Sequence, residues 1–250
     1  MIRGLYTAAT GMLALMNKQD VIANNLANVN TTGFKKDYVS LTSFPEALVY
    51  AQGRQADASY MKMPIGWLSS GVGIANTGFI DSGGTLRQTG GTFDLAITGD
   101  GFFAIQTPAG ERYTRDGSFT KDSLGRLVNQ DGNLVLGENG VVNVRGNDVS
   151  IDGSGKIYVD GNYVDTLKIR RFSNGELEKN GNNMFIANSS GQRSTDFTIK
   201  QGYLEGSNVD ATAEMVDMGT TIRSFEANQR VLQAQDDTLG RAVNEVGKVG

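Results

Sequence analysis

Residues 24–36 read NNLANVNTTGFKK and decide where a helix must stop. The stretch sets Asn24, Asn25, Asn28 and Asn30, with Thr31 and Thr32, directly behind an apolar helical pattern, and then adds Gly33, Phe34 and two lysines. Asn and Thr side chains bond to nearby backbone groups and so offer the chain an alternative to helix. Asn28, Asn30, Thr31 and Thr32 are therefore expected to end the helix, and Gly33 to turn the chain off its axis. A plain capped helix end accounts for residues 30–33 but not for the upstream pair. Asn24 and Asn25 are expected to make polar contacts between packed helices.

Upstream of the stop, Ile2, Leu5, Ala9, Met12, Met16, Gln19, Ala23 and Leu26 alternate threes and fours, broken only by Gln19. That is the spacing of a coiled-coil seam. The far end of the chain repeats it at Met215, Met218, Ile222, Phe225, Gln229, Leu232, Asp236, Leu239, Val243 and Val246, with Gln229 and Asp236 as polar interruptions. Polar residues at seam positions fix register and oligomer state in coiled coils, the role expected for Gln19, Gln229 and Asp236. Ser207 or Asn208 is expected to cap the second helix, which runs about 50 Å at 1.5 Å per residue.

Neither helix is strong alone. Gly11 interrupts the first and Gly219 and Gly240 the second, each costing about 1 kcal/mol relative to Ala. Each seam needs a partner. Arg3, Lys18, Lys35 and Lys36 outnumber Asp20 over residues 1–36, whereas acidic residues predominate over 208–250. Opposite charge suits pairing of the two ends, although exposed ion pairs contribute little one by one.

Between them the text changes. Asp-Gly recurs at 100, 116, 131, 152 and 160 and Asn-Gly at 139, 174 and 180, flanked by short runs such as LAITGDGFFAI, KIYV and LKIRRF. These dipeptides tolerate the positive φ of hairpin turns. Their spacing leaves no room for crossover helices, so an irregular antiparallel sheet follows. The expected organisation is mainly β with terminal α-helices: an N-terminal coiled-coil helix over 1–30, an extended connector over 31–80, an antiparallel β domain over 81–205, and a C-terminal coiled-coil helix over 206–250 paired with the first.

Composition removes much chemistry. With neither cysteine nor histidine among 250 residues, disulfides, thiolate catalysis, imidazole bases and most zinc or copper sites are excluded. No cofactor and no metal are expected. A net charge of −4 gives no global attraction to nucleic acid, and no run approaches the length of a membrane span. IDGSGKI (151–157) carries Ser150 where a P-loop needs its first Gly, and lacks acids at the end positions of a calcium loop, so it reads as a hairpin turn. GVGIANTG (71–78) has Asn76 at the third glycine of a dinucleotide fingerprint and reads as a loop. No base, nucleophile and orienting group converge legibly, and no enzyme is expected.

LYTAATGML followed by NNLANVNTTGFKK resembles the N-terminal signature of the bacterial flagellar rod and hook family. Residues 95–133 are similar to that family's β-domain block, and QGYLEGSNVDATAEMVDM (201–218) to its C-terminal entry. The resemblance implies an axial structural protein of the flagellar basal body, exported uncleaved through the flagellar type III apparatus. It would polymerise into a helical tube with its own copies and with other rod and hook proteins, outside the cytoplasmic membrane and without membrane insertion. The GLYTAATGM start, the length and the single β domain resemble distal rod members. Proximal rod or hook-type members are the alternative within the family. The competing class is a secreted β-rich glycan-binding module in which Phe102, Phe103, Tyr113 and Trp67 stack on sugars, although aromatics at strand spacing are more often core.

Overall fold

In a computed structural model, residues 2–54, 60–173 and 175–246 are described, apart from the side chains of 2, 3, 51–54, 60–62, 245 and 246. The side chains of Ile2 and Val246 from the expected seam, and Asn174 among the turn residues, lie outside that description. The chain forms two compact units, residues 1–24, 37–77 and 212–250 in one and 25–36 and 78–211 in the other. It passes between them at 24/25, 36/37, 77/78 and 211/212. The result is the mainly β chain with terminal helices and antiparallel sheets expected from the sequence.

The first unit is built on α1 (Ile2–Ala27) and α2 (Ala211–Val246). They lie antiparallel and close. A Cβ placed on Gly4 would stand 3.2 Å from Gln235 Nε2, and one on Gly11 would stand 3.2 Å from Asn228 Nδ2. No helix among the described residues is long and apolar enough to cross a membrane. α2 begins at Ala211, so Asp210 occupies its N-cap position and the expectation of a cap at Ser207 or Asn208 is corrected. The reason is competition: Asn208 Oδ1 already accepts from the Lys36 amide at 2.6 Å, and Ser207 Oγ accepts from the Val209 amide before the helix starts.

The segment expected as an extended connector carries strands. Asp37–Ser43 pairs with Val72–Phe79, and Glu46–Arg54 pairs antiparallel with Tyr60–Ser69. In the second pair Leu48 lies opposite Trp67 and Val49 opposite Gly66, but Tyr50 lies opposite Pro64. Ile65 is the extra residue of a bulge, the place where a proline in a strand is tolerated.

The second unit is organised around Phe102–Thr107. This strand pairs antiparallel with Gly110–Thr114 on one edge, and with Leu134–Gly137 and Ile169–Arg171 on the other. Side chains alternate across a strand, and here both faces are buried. Phe103 and Ile105 enter a core that includes Leu95, Leu127, Val135, Ile157 and Ile199. Phe102 and Ala104 enter a smaller one with Tyr113, Leu177 and Phe185. Strand Lys156–Val159 returns as Asn162–Thr166 through Asp160 (φ 50°) and Gly161 (φ 81°), the two consecutive positive φ values of a tight hairpin turn.

Candidate assembly surfaces and the helix roots

Along α2 the less exposed positions include a row through Glu214, Met218, Thr221, Phe225, Asn228, Leu232, Gln235 and Leu239, alternating fours and threes. Along α1 one row runs through Ala8, Ile22 and Asn25, which are buried, and Gly4, Gly11, Leu15 and Lys18, which are half-buried, and Ala14 is buried beside it. Of the residues picked from the sequence, Met218, Phe225, Leu232 and Leu239 stand on this sheltered stripe. Met215, Ile222, Gln229, Asp236 and Val243 stand one position round the helix and are exposed. On α1 Leu5, Ala9, Met12, Gln19 and Leu26 are half-buried, while Met16 and Ala23 are exposed.

The helix pair therefore carries a second, uncovered apolar set: Tyr6, Leu13 and Met16 on α1, and Met215, Ile222 and Val243 on α2. A cavity of about 410 Å³ opens between the helices, lined by Gly4, Thr7, Ala8, Leu68, Asn228 and Val231. Thr221 Oγ1 and Gln235 Oε1 are buried without a hydrogen-bond partner among the described residues. Buried polar atoms are usually satisfied, and these two were not legible beforehand, because a count of apolar residues passes over Thr and Gln.

The hairpin of the same unit is uncovered as well. Tyr50, Met63, Ile65, Trp67 and Leu68 are all exposed, Ile65 and Trp67 at 67%. An isolated two-stranded ribbon is marginally stable in water, and apolar groups on both strands mark a surface that binds something. Of the four aromatics a sugar-binding reading would use, Phe102, Phe103 and Tyr113 are buried in the cores, leaving Trp67.

In the second unit the roots of both helices meet in a buried ion network. α1 ends at Ala27, where the Asn28 amide donates to the Asn25 carbonyl and the Thr31 hydroxyl donates to Asn28 Oδ1 at 3.1 Å. Asn25 is buried, whereas Asn24 and Asn30 are exposed. Gly33 then takes φ 64° and donates its amide to the Glu205 carbonyl at 2.8 Å. Lys35 is fully buried and donates to Glu205 Oε1 at 2.9 Å and to the Ser82 carbonyl at 2.7 Å. Arg115 Nε donates to Glu205 Oε2 at 2.7 Å, and its other nitrogens reach the carbonyls of Gly99 and Gly101. The Gly84 amide completes the shell of Glu205 at 2.9 Å. Asn208 adds donations to the carbonyls of Ile80 and Ser82. Burial holds the carboxyl of neighbouring Asp81 above its ordinary range, against the pull of Lys35 at 3.5 Å. Glu205 and Arg115 were not singled out from the sequence, since no local pattern links residues so far apart.

These elements are the ones that known proteins share. Residues 5–35 match the family described as flagella basal body rod protein. Residues 96–159 match the flagellar hook protein FlgE/F/G D1 domain, and residues 200–245 the flagellar basal body rod FlgEFG protein C-terminal family. The chain is 37% identical to the flagellar basal-body rod protein FlgG of Bacillus subtilis, across 98% of this chain and 99% of that protein. It is 36% identical to FlgG of Borreliella burgdorferi, across 98% of each, and 31% identical to the rod protein FlgF of Caulobacter vibrioides, across the whole of both. With helix roots, β unit and C-terminal helix all matched, the chain belongs to the flagellar basal-body rod and hook family, as a structural rod subunit.

Proposed function

We propose that this subunit polymerises with its own copies into a helical tube that transmits motor torque, and that the uncovered stripes of α1 and α2 are the faces that neighbouring copies occupy. The observation that carries this reading is the heptad recurrence of Met215, Ile222 and Val243 on the exposed side of a helix whose other side is sheltered. Gln229 and Asp236 continue that exposed row and would set the register between copies. The ends of the tube would meet other rod and hook proteins by the same helix packing.

The same reading places the subunit outside the cytoplasmic membrane, delivered through the flagellar type III apparatus without loss of a leader. Mid-helix glycines support it: helices weakened by Gly11, Gly219 and Gly240 open readily for passage and regain order when copies cover them. The GLYTAATGM start, the length and the single β unit favour a place in the distal rod. No catalysis and no cofactor enter the reading.

Electron microscopy of the purified protein at high concentration tests it, with tubes or rods expected. Leu13→Asp and Ile222→Asp, both on exposed positions, should leave the circular dichroism of the dilute protein unchanged and abolish the tubes. Tubes formed by both variants would remove the stripes from the interface. A wild-type protein that stays monomeric at every concentration would remove the function.

A further inference from the structure

Four hydrogen bonds tie residues 33–36 to residues 205–208, beside others to Ile80, Ser82 and Lys179. Gly33 donates to the Glu205 carbonyl, Lys36 to Asn208 Oδ1, and Lys35 to Glu205 Oε1, while the Asn208 amide donates to the Phe34 carbonyl. The bonds from the Lys35 ammonium and the Lys36 backbone amide span 170 and 172 residues. The apolar cores of the same unit take no residue from either segment: their buried members lie between Leu95 and Ile199, and Phe79 and Phe93, which pack against them, also lie outside 33–36 and 205–208.

Two physical facts make this asymmetry consequential. Contacts distant in sequence form late, since the entropy of closing the loop must be met before the contact returns anything. A buried ammonium without its carboxylate is strongly disfavoured, and Lys35 is fully buried. Before Glu205 arrives, Lys35 has the Ser82 carbonyl and Asp81, whose side chain is 41% exposed and 3.5 Å away. Glu205 in turn is 2% exposed and depends on Lys35, Arg115 and the Gly84 amide. Lys35 therefore meets its buried carboxylate partner only when Glu205 arrives.

We infer that Glu205 and Asn208 form a latch that closes last in the folding of this chain, seating the root of α1 and the root of α2 in one step after the β core is complete. A chain whose residues 205–208 have not folded keeps the root of α1 open. Seating is thereby tied to the folding of residues 205–208, and it is a property of the single molecule, independent of polymerisation.

Refolding of the dilute full-length protein from urea, followed by pulse-labelled hydrogen exchange, tests the latch. The amides of Phe103, Ile105 and Val135 are expected to gain protection in an early phase, and those of Gly33, Lys36 and Asn208 together in a later one. Glu205→Gln should lower protection at Gly33 and Lys36 by on the order of a hundredfold, with the early phase unchanged. Should that variant fail to fold, Asn208→Ala leaves the buried charges paired and should remove protection at Lys36 alone, again without slowing the early phase. Protection of Gly33 and Lys36 simultaneous with Ile105 overturns the inference, as does a latch variant that slows the early phase.

Discussion

Gly4 and Gln235 face each other across the helix pair, and one heptad along α1 and back along α2 Gly11 faces Asn228 in the same way. A residue without a side chain is matched twice with a residue carrying an amide. The pattern sets the register: slipping either helix by one turn would push an amide into a neighbour with a side chain.

That pairing predicts opposite outcomes at two glycines. At Gly11 a longer side chain must displace Asn228, so Gly11→Leu is expected to lower the stability of the helix pair by about 1–3 kcal/mol through overpacking. At Gly219 nothing among the described residues lies within 4 Å of an added Cβ. Gly219→Ala is expected to raise helix stability by about 1 kcal/mol, the helix-interior difference between the two residues. Thermal unfolding followed by far-ultraviolet circular dichroism measures both, and equal shifts of the same sign would contradict the proposed register.

Gly33 is a stricter position. Its φ of 64° disfavours a side chain, and a Cβ there would meet the Asp116 amide nitrogen and the Arg115 carbonyl carbon, both backbone atoms, at 2.4 and 2.5 Å. Gly33→Ala is expected to cost about 2–4 kcal/mol, combining left-handed strain with displacement of backbone. Urea unfolding checks this, and a loss below 1 kcal/mol, roughly the scale of helix propensity alone, would show that the turn relaxes.

How much of this was legible follows from which signals are local. The turn at Asp160–Gly161 and the helix stop after Ala27 were readable because backbone conformation and its side-chain competitors lie within a few residues. The apolar recurrence grouped Met218, Phe225, Leu232 and Leu239 with Met215, Ile222 and Val243, and could not separate the sheltered row from the exposed one beside it. Asn228 and Gln235 were not legible, because they serve the helix pair through shape and polarity, which a hydrophobic count discards. The connector's strands were hidden by the many small residues of 37–77. The Lys35–Glu205–Arg115 network was hidden by distance along the chain, although each partner sits in a stretch that carried the family resemblance.

Acid should act on the second unit in two opposing ways. Arg170 donates to both oxygens of Glu138 at 3.0 Å, and this hydrogen bonding holds the Glu138 carboxyl below its ordinary range. A carboxylate with a depressed folded value lends stability above its unfolded value and loses it as pH falls through the folded one. Asp81 behaves inversely. Burial raises its carboxyl, so its ionisation disfavours the folded state at neutral pH, and stability is recovered as pH falls through the raised value. Urea midpoints measured from neutral to acid pH should therefore show that Asp81→Asn raises stability at neutral pH and erases that recovery. Glu138→Gln should flatten the loss at lower pH. A neutral-pH loss in Asp81→Asn would mean that the attraction of Lys35 outweighs burial.

Trp67 is the one tryptophan of the chain and is 67% exposed on the hairpin. It is thus a built-in reporter of whether the hairpin is covered when copies assemble. If the hairpin packs on a neighbour, Trp67 leaves water and its fluorescence emission moves to the blue as tubes form, with the concentration dependence seen by light scattering. Trp67→Ser and Ile65→Ser remove apolar area exposed in the single chain, so each should change the unfolding midpoint of the dilute protein little while raising the concentration needed for assembly. A full side chain taken from water contributes about 1.5–3 kcal/mol, so that increase is expected to reach at least about tenfold. Tubes that form with no change in emission would leave assembly to the helices alone.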